Sequence, residues 1–282
     1  MRSSEIYSKK KVNNISRILE NVGDIALRKR AEWLINNLHL KKGEKALDVG
    51  CGDGFYLHIL SKLKINLKLY GIDNDKKALI TVAARFKKKE VKLFWCDLMR
   101  KLPYKSNSFD KVIMSEVLEH LQDDKVGLKE VYRVLKPNGI LCLSVPNHRY
   151  PFLWDPVNWT LEHMLKTHLK SGFWAGIWNQ HIRLYEKREL KEIVKNAGFK
   201  VRKIQSLTQW SLPFNHYLVN LGARLLTKKS FNVVTSGANK FEENVKRSFT
   251  VNTFFAISNL IDRLNSSKEL EVGVSLVVSA KK

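Results

Sequence analysis

The spacing of apolar residues changes along the chain and divides it into regions. Before residue 44 the apolar positions recur every three or four residues, which is the period of a helix. From residue 44 onward short apolar runs alternate with amphipathic stretches, as in proteins that alternate strands with helices. The pattern predicts an N-terminal helical cap over residues 1–43, followed by one α/β domain over residues 44–282.

The apolar runs predict a largely parallel sheet. Strands that alternate with helices are joined by right-handed crossovers, and such sheets are covered on both faces. Helices are predicted to begin near residues 54, 76 and 124, with a further helix over residues 186–196. The predicted strands are Lys45–Val49, Leu67–Ile72, Val91–Trp95, Lys111–Met114, Ile140–Val145, Phe199–Ser206 and Glu271–Ser279.

Two stretches interrupt the alternation after the fifth predicted strand. The first, at about residues 147–180, is rich in aromatic residues and carries four of the seven tryptophans. It is interpreted either as a lid with an apolar substrate floor or as a small second core. The second, at about residues 207–268, begins with a capped helix pattern at Ser211 and continues an apolar stripe to Leu225. That helix faces either the protein's own core or an anionic bilayer.

The amino-acid composition limits the cellular compartments and the binding partners that we expect for this protein. Lys and Arg number 50 and Asp and Glu 27, so the formal net charge is +23 over 282 residues. This excess points to nucleic acid, an anionic membrane surface or a phosphorylated substrate. Because the basic residues are spread along the chain, nucleic acid is the less favoured partner. Three cysteines without metal-ligand spacing and the lack of a long apolar run predict a cytoplasmic protein, with peripheral contact at the inner membrane face as an option.

A glycine-rich motif joins the first strand to the first crossover helix. Asp48 lies in the apolar run, and Gly50, Gly52 and Gly54 follow it at alternate positions. In open parallel sheets ligands bind at the carboxyl ends of strands, where glycines let a ligand approach the backbone. The third glycine comes one position too early for a dinucleotide fingerprint, and the lysine of a P-loop is missing.

Acidic residues end the next two strands. Asp73 follows Asp48 by 25 residues and is placed to accept hydrogen bonds from both hydroxyls of a ribose. Asp97 comes 24 residues later, where a carboxylate can accept the hydrogens of an amino group such as that of adenine. The loop together with these two acids is a far more specific pattern than the glycines alone.

With these motifs the sequence resembles the class I S-adenosylmethionine (SAM)-dependent methyltransferases, particularly the methyltransferase type 11 branch. The resemblance is close over residues 44–147, where it includes the stretches 102–110, 115–121 and 130–139, and it is looser over residues 181–206. It implies an α/β, Rossmann-like sheet of seven strands with the last strand antiparallel. It also implies helical insertions after strands 5 and 6, and SAM as the cofactor.

The resemblance assigns parts of the cofactor to positions in this chain. The glycine loop would hold the methionine half of SAM, Asp73 the ribose and Asp97 the adenine amino group. Asn74 would lie beside the adenine, Leu98 would pack on the ring, and the fourth strand would end near the sulfonium. The residues implied to bind SAM are Asp48, Gly50, Gly52, Gly54, Asp73, Asn74, Asp97, Leu98 and Ser115.

Fewer residues are candidates for catalysis than for SAM binding, and they are chosen by their position in the sequence. His148 and His181 lie where the substrate pocket of the family usually opens, and a neutral imidazole there could take a proton from the acceptor. The segment that begins at His181 resembles a recurrent stretch of the branch, so Arg183 and Tyr185 share the candidacy. A structural role is the alternative for each of these side chains.

A metal-binding interpretation also exists for the residues after the fourth strand. Glu116, Glu119 and His120 would share one face if the segment were helical, and could ligate a divalent cation. The pattern is similar to that of quinone-pathway O-methyltransferases. Many relatives carry the same Val-Leu-Glu-His-Leu sequence without any metal, so a capping or packing role is preferred and no metal is expected.

The sequence therefore predicts a SAM-dependent methyltransferase acting on a small-molecule or lipid-like acceptor, such as a quinone precursor, by in-line displacement. An RNA or protein methyltransferase is the first alternative, although no RNA-binding domain is recognisable. A non-catalytic SAM-binding partner subunit is the second.

Overall fold

Seven strands form a single sheet in the part of the chain that the computed structural model describes. That part comprises residues 15–87, 90–210, 217, 239–242, 246–265 and 270–282. The strands are β1 (Lys45–Val49), β2 (Lys68–Asp73), β3 (Val91–Trp95), β4 (Phe109–Ser115), β5 (Leu135–Pro146), β6 (Lys200–Leu207) and β7 (Ser275–Lys281).

The sheet order is β3-β2-β1-β4-β5-β7-β6. Strands β1 to β5 pair in parallel, whereas β7 is antiparallel to both β5 and β6. The chain order reverses between β1 and β4, which is where an open sheet of this kind binds its ligand. The predicted seven-stranded sheet with an antiparallel last strand is confirmed.

The last predicted strand begins four residues too early. Glu271 lies in a loop, where its carbonyl accepts hydrogen bonds from the side chains of Asn147 and Ser206. Two residues later the N–H of Gly273 donates to the carbonyl of Arg149. These backbone groups are satisfied by loops, so the ladder of β7 starts only at Ser275.

Most of the described helices begin at a capping side chain, whereas the helix that follows Gly54 does not. Asp24, Asp75, Asp123, Asp155 and Ser248 each accept a hydrogen bond from a backbone N–H in the first turn that follows. The helices are α1 (Ile25–Asn37), α2 (Phe55–Lys62), α3 (Lys76–Arg85), α4 (Asp124–Val134), α5 (Pro156–Leu165), α6 (Lys187–Asn196) and α7 (Phe249–Asp262). Short 3-10 turns lie at Leu118–His120, Phe173–Trp178 and Arg263–Asn265.

Hydrophobic cores cover both faces of the sheet. Neighbouring residues of one strand point to opposite faces, so Val112 packs with α4 and α6 whereas Ile113 packs with α1, α2 and α3. The apolar residues before α1 join the second of these cores. The N-terminal helix is therefore packed onto the same sheet that carries the glycine loop.

The aromatic insertion builds a core of its own. Trp154 and Trp178 are buried together with Tyr150, Ile177 and Leu184 in a small cluster beside the main sheet. Its use as a lid stays a prediction. The predicted helix from Ser211 to Leu225 lies outside the described residues, apart from the buried Tyr217.

No helix among the described residues combines the length and the hydropathy that crossing a bilayer requires.

Candidate functional site

The glycine loop after β1 leaves space for a ligand. Gly50 and Gly52 have φ angles of +68° and +49°, in the left-handed region that glycine tolerates best. A Cβ on Gly50 would come within 2.5 Å of the Val117 side chain, whereas a Cβ on Gly52 would meet no atom within 4 Å. The loop is thus packed on one side and open on the other.

Two carboxylates frame this loop. Asp48 is buried, and its Oδ2 atom has no hydrogen-bond partner among the described residues. Burial, with smaller contributions from Asp73 and Asp53, raises the pKa of Asp48 well above its usual value. Asp73 Oδ2 accepts a 2.7 Å hydrogen bond from the N–H of Gly52. The end of β2 therefore touches the loop that follows β1.

The ends of β2 and β3 continue the same edge. Asp73 is in register with Trp95, whose indole nitrogen donates to the carbonyl of Asn74 at 2.8 Å. Trp95 is 53% exposed, and Lys76 Nζ lies 5.2 Å from the centroid of its ring, so the part of the ring that Lys76 leaves open can form a flat wall for a bound group. Asp97 accepts a hydrogen bond from the N–H of Met99.

Sequence reasoning missed Trp95, although an aromatic residue at the last position of β3 was a visible sign. Leu98, implied to pack on the adenine, is buried in the core beneath this edge.

A chain of hydrogen bonds crosses the ends of β4 and β5. Ser115 and Ser144 are paired in register, and their hydroxyls lie 2.8 Å apart. Ser115 also shares a 2.9 Å hydrogen bond with Tyr56, and Ser144 donates to Glu116. Arg30, from α1, completes the chain with an ion pair to Glu116 at 3.3 Å.

Sequence reasoning also missed two members of that hydrogen-bond chain, Tyr56 and Arg30. Tyr56 stood next to the last glycine of the loop and could have been found there. Arg30 carried no local sign, because only the packing of α1 on the sheet brings it to Glu116.

These features fit the groups that SAM presents. Its amino acid moiety needs room along a backbone and polar partners, which Gly52 and the partnerless Asp48 oxygen offer. Its ribose hydroxyls need a carboxylate at a strand end, and Asp73 supplies it. Its adenine needs a flat neighbour and polar groups, and Trp95 and Asp97 lie at the same edge.

The expected helical face of Glu116, Glu119 and His120 is absent from the structure. Glu116 has a φ of +55°, so it is left-handed and the regular helical spacing is broken directly after β4. The Glu116 carboxylate accepts a hydrogen bond from Ser144 and pairs with Arg30. Glu119 and His120 are instead joined by His181, and one ligand atom of each residue lies within 4.8 Å of the others.

The segment from Gln180 to Tyr185 links the end of β4 to the end of β5. The N–H of Ile182 donates to the carbonyl of Glu119, and the N–H of His148 donates to the carbonyl of Tyr185. His181 Nε2 lies 3.9 Å from Glu119 Oε1. The segment thereby brings His181 to the carboxyl edge of the sheet, next to His148, which follows the end of β5.

Tyr185 points away from this edge. Its side chain is fully buried, and its hydroxyl donates to Asp124 at 2.9 Å. Burial and the neighbouring Asp124 carboxylate raise the pKa of Tyr185. Arg183 also pairs with Asp124, at 3.0 Å. Both side chains therefore hold the segment against α4.

A cavity of about 730 Å³ opens beside His148. Its wall contains Phe152, packed edge-on against Trp159 with 5.2 Å between ring centroids. Below them the carboxylate of Glu162 accepts 2.6 Å hydrogen bonds from the side chains of Tyr150 and Trp178. Rings fixed in this way form an apolar compartment with a polar floor. A second cavity of about 780 Å³ lies near the amino end of β2, away from this edge.

Comparison with known proteins identifies the family to which the chain is similar. Residues 47–143 match the family model described as a methyltransferase domain. The chain is 29% identical over 200 residues to the demethylmenaquinone methyltransferase of Oceanobacillus iheyensis, covering 65% of this chain and 82% of the relative. It is 30% identical over 207 residues to the enzyme of that name from Staphylococcus aureus, covering 71% of this chain and 84% of the relative.

Among solved structures, the phosphoethanolamine N-methyltransferase 2 of Haemonchus contortus in complex with SAM has a TM-score of 0.55 at 19% identity, covering 90% of this chain and 52% of that one. This likeness is one of fold. The sequence matches, the strand order and the glycine loop with its acids together show that the chain belongs to the class I SAM-dependent methyltransferases of the type 11 branch, with SAM as its cofactor.

Proposed function

We propose that this methyltransferase acts on a small hydrophobic acceptor that carries a ring. The observation that supports this most directly is the cavity beside His148, walled by Phe152 and Trp159. Apolar pockets with a few polar groups are the usual sites for small molecules. The demethylmenaquinone methyltransferases to which the chain is similar have an acceptor of this chemical class by name.

SAM, when bound, supplies a methyl group already activated by the sulfonium to which it is attached. The task of the protein is then mainly to hold cofactor and acceptor in line and to exclude water. In our proposal Gly50, Gly52, Gly54 and Asp48 hold the methionine half. Asp73 binds the ribose, Asn74, Asp97 and Leu98 surround the adenine, and Ser115 lies nearest the reacting end.

Ser115 is well suited to such a position because it cannot move independently. Its hydroxyl is held between those of Tyr56 and Ser144, and the latter is fixed by Glu116. Hydrogen bonds of this kind orient polar groups before a ligand arrives, which lowers the cost of ordering them on binding. The edge that faces the reaction is thereby preorganised.

His148 is our candidate for the group that takes a proton from the acceptor. It is exposed, lines the aromatic cavity and is held by its backbone N–H at the end of β5. A base must be within hydrogen-bond reach of the proton that it removes, and His148 borders the compartment in which the acceptor would lie. His181 is the second candidate, since the same segment carries it to the end of β4. Tyr185 is a positioning residue in this proposal.

The outer side of α7 supports contact with a membrane. Phe249 and Leu260 are 86% and 63% exposed, and their spacing places them on one side of the helix. Leu264, which is 66% exposed, follows in the 3-10 turn at the end of α7. Trp210 lies beside them, because its backbone N–H and carbonyl both bond to the Asn265 side chain. With a net charge of +23, the partner that suits this apolar face is an anionic bilayer.

Vesicle co-sedimentation tests the membrane contact. The parent protein should sediment with vesicles containing anionic lipid and much less with neutral ones, and Leu260→Asp should reduce sedimentation. Ile80→Asp, on the exposed side of α3, is the matched control and should sediment as the parent does. Equal sedimentation of the parent and Leu260→Asp would overturn the contact.

Methyl labelling tests the acceptor class. The protein, incubated with SAM carrying a labelled methyl group and with separated cell fractions, should transfer label to small molecules extracted into organic solvent. Transfer to RNA or protein alone would contradict the proposal and favour the first alternative. Binding of SAM without transfer to any fraction would favour the non-catalytic alternative.

A further inference from the structure

The carboxylate of Glu119 lacks the partners that a buried charge needs. The residue is fully buried, and neither of its side-chain oxygens has a hydrogen-bond partner among the described residues. Buried carboxylates in proteins are paired, hydrogen-bonded or bound to a metal, because removing one from water without compensation costs several kcal/mol. The 3.9 Å from its Oε1 to His181 Nε2 is too long for a hydrogen bond.

Two imidazoles complete a compact set of donor atoms. The rings of His120 and His181 have centroids 4.9 Å apart. One carboxylate oxygen and one nitrogen from each ring all lie within 4.8 Å of one another. A cation at the centre of such a group can be reached by all three side chains after small rotations.

The second nitrogen of His120 is already engaged. His120 Nδ1 lies 3.0 Å from the carbonyl oxygen of Gln180, and since a carbonyl only accepts, Nδ1 carries the hydrogen. The lone pair of this ring is then on Nε2. Metal-binding histidines usually donate their other N–H to a carbonyl or carboxylate in this way, which fixes the tautomer and the direction of the ring.

We propose that Glu119, His120 and His181 bind a divalent first-row transition cation, with Zn²⁺ as the cation that suits them best. Two imidazoles and one carboxylate form a three-ligand set that binds zinc and leaves a fourth position open. The two segments that carry the ligands are held together by the hydrogen bond from Ile182 to Glu119. Glu116 is excluded from the set, because Arg30 and Ser144 hold its carboxylate.

The place of this cation gives it a function if the proposed acceptor is correct. It would lie where the segment from Gln180 to Tyr185 spans the ends of β4 and β5. From there its open position can bind an oxygen of the acceptor and polarise it. Cation binding itself does not depend on that acceptor, so the two proposals can fail separately.

The test uses the full chain, stripped with a chelator and titrated with Zn²⁺ alone. Calorimetry should show one saturable Zn²⁺ site. When Co²⁺ replaces Zn²⁺, it should show the visible absorption of Co²⁺ with a low coordination number. His120→Ala removes a ligand whose side chain is exposed, so the fold should be kept, and should weaken Zn²⁺ binding about tenfold or more. Glu119→Gln and His181→Ala should do the same, with circular dichroism to check folding.

His39→Asn is the matched control. His39 is exposed and precedes β1, so it lies at the opposite edge of the sheet, and Asn tolerates its φ of +50°. This variant should bind Zn²⁺ as tightly as the parent. The proposal is overturned if the parent shows no saturable Zn²⁺ site, or if His120→Ala and Glu119→Gln bind Zn²⁺ as the parent does.

Discussion

The two halves of the carboxyl edge are built in different ways. The half that we propose to bind SAM, called the cofactor half, uses the ends of β1, β2 and β3, where glycines and carboxylates lie at positions that the sheet register brings together. The half that we propose to bind the acceptor, called the acceptor half, uses side chains from loops, from α5 and from the segment at residues 180–185. The first half is therefore set by backbone geometry, whereas the second is set by side-chain packing. A substitution in one half should therefore change the binding of its own ligand and leave the binding of the other ligand unchanged.

The largest effect is expected at Gly50. Gly50→Ala places a Cβ 2.5 Å from Val117 in a left-handed backbone, which should lower the free energy of unfolding by about 2–4 kcal/mol and abolish SAM binding. Denaturant unfolding and calorimetry with SAM measure the two effects. Gly43→Ala is the control, because Gly43 has a φ of +82° but open space around it, at the amino edge of the sheet. It should cost only about 1 kcal/mol and leave SAM binding unchanged. Equal SAM affinity in Gly50→Ala and Gly43→Ala would contradict the proposal that the glycine loop binds SAM.

A carboxylate on the cofactor half should matter for SAM and little for the acceptor. Asp73→Asn should weaken SAM binding about 10–100-fold, since a charged acceptor of hydrogen bonds is replaced by a neutral one. Calorimetry with SAM and acceptor titrations at saturating SAM separate the two ligands.

Asp75→Asn, two residues away, is the control for Asp73→Asn. Asp75 caps α3, a role that Asn fills almost equally well. A SAM affinity for Asp73→Asn that matches Asp75→Asn would remove Asp73 from the site.

Replacing an aromatic residue of the acceptor half should weaken acceptor binding and leave SAM binding unchanged. Trp159→Ala removes a ring from the cavity wall, so the KM for the acceptor should rise about tenfold while the affinity for SAM stays unchanged. Steady-state kinetics against both substrates measures this. Ile80→Ala changes an exposed residue on α3 and should alter neither value. A parallel loss of SAM affinity in Trp159→Ala would show that the two halves are not independent.

The smallest effect on ligand binding is expected away from both halves, at Glu130 on α4. Its carboxylate accepts hydrogen bonds from Arg133 and from the N–H of Leu102, and the Arg133 hydrogen bond chiefly lowers its pKa. A lowered folded-state pKa stabilises the protein above the unfolded pKa of about 4.3, and this contribution is lost as the pH falls through the folded-state value.

Glu130→Gln should therefore lower the free energy of unfolding by about 1–2 kcal/mol at pH 7. The difference from the parent should shrink below about pH 4. Urea unfolding at several pH values measures it, and both ligands should bind as before. A difference that is independent of pH would contradict the ionic origin of this contribution.

The sheet could be predicted from sequence because its signals are local. The apolar runs of β1 and β3 have the predicted bounds, and an acidic cap marks the start of α3. The predicted strands that differ do so at their ends. The ladder of β7 starts later because loops bind the backbone groups before it, whereas β5 already begins at Leu135, which is in register with Phe109. Gly50 and Asp73 could be proposed as cofactor-binding residues for the same reason, since each stands at the end of a strand that the pattern located.

The acceptor half could be predicted only in part from the sequence, because its contacts join residues that are distant in the sequence. Helical spacing placed Glu116 with Glu119, but one left-handed residue after β4 separated them. His181 enters the same cluster from a segment about 60 positions later, which no local pattern could indicate. Arg30 likewise reaches Glu116 only through the packing of α1.

The ion pair between Arg30 and Glu116 has a consequence for dividing the protein into parts. The portion that matches the family model, residues 47–143, contains β2 to β4 and most of β1 and β5, but neither α1 nor β7. An excised fragment with those limits would lose Arg30 and would expose the flank of β5 that β7 covers. The portion that matches the family model is therefore smaller than the portion expected to fold. A truncated or transplanted version should retain the residues from before α1 to the end of β7.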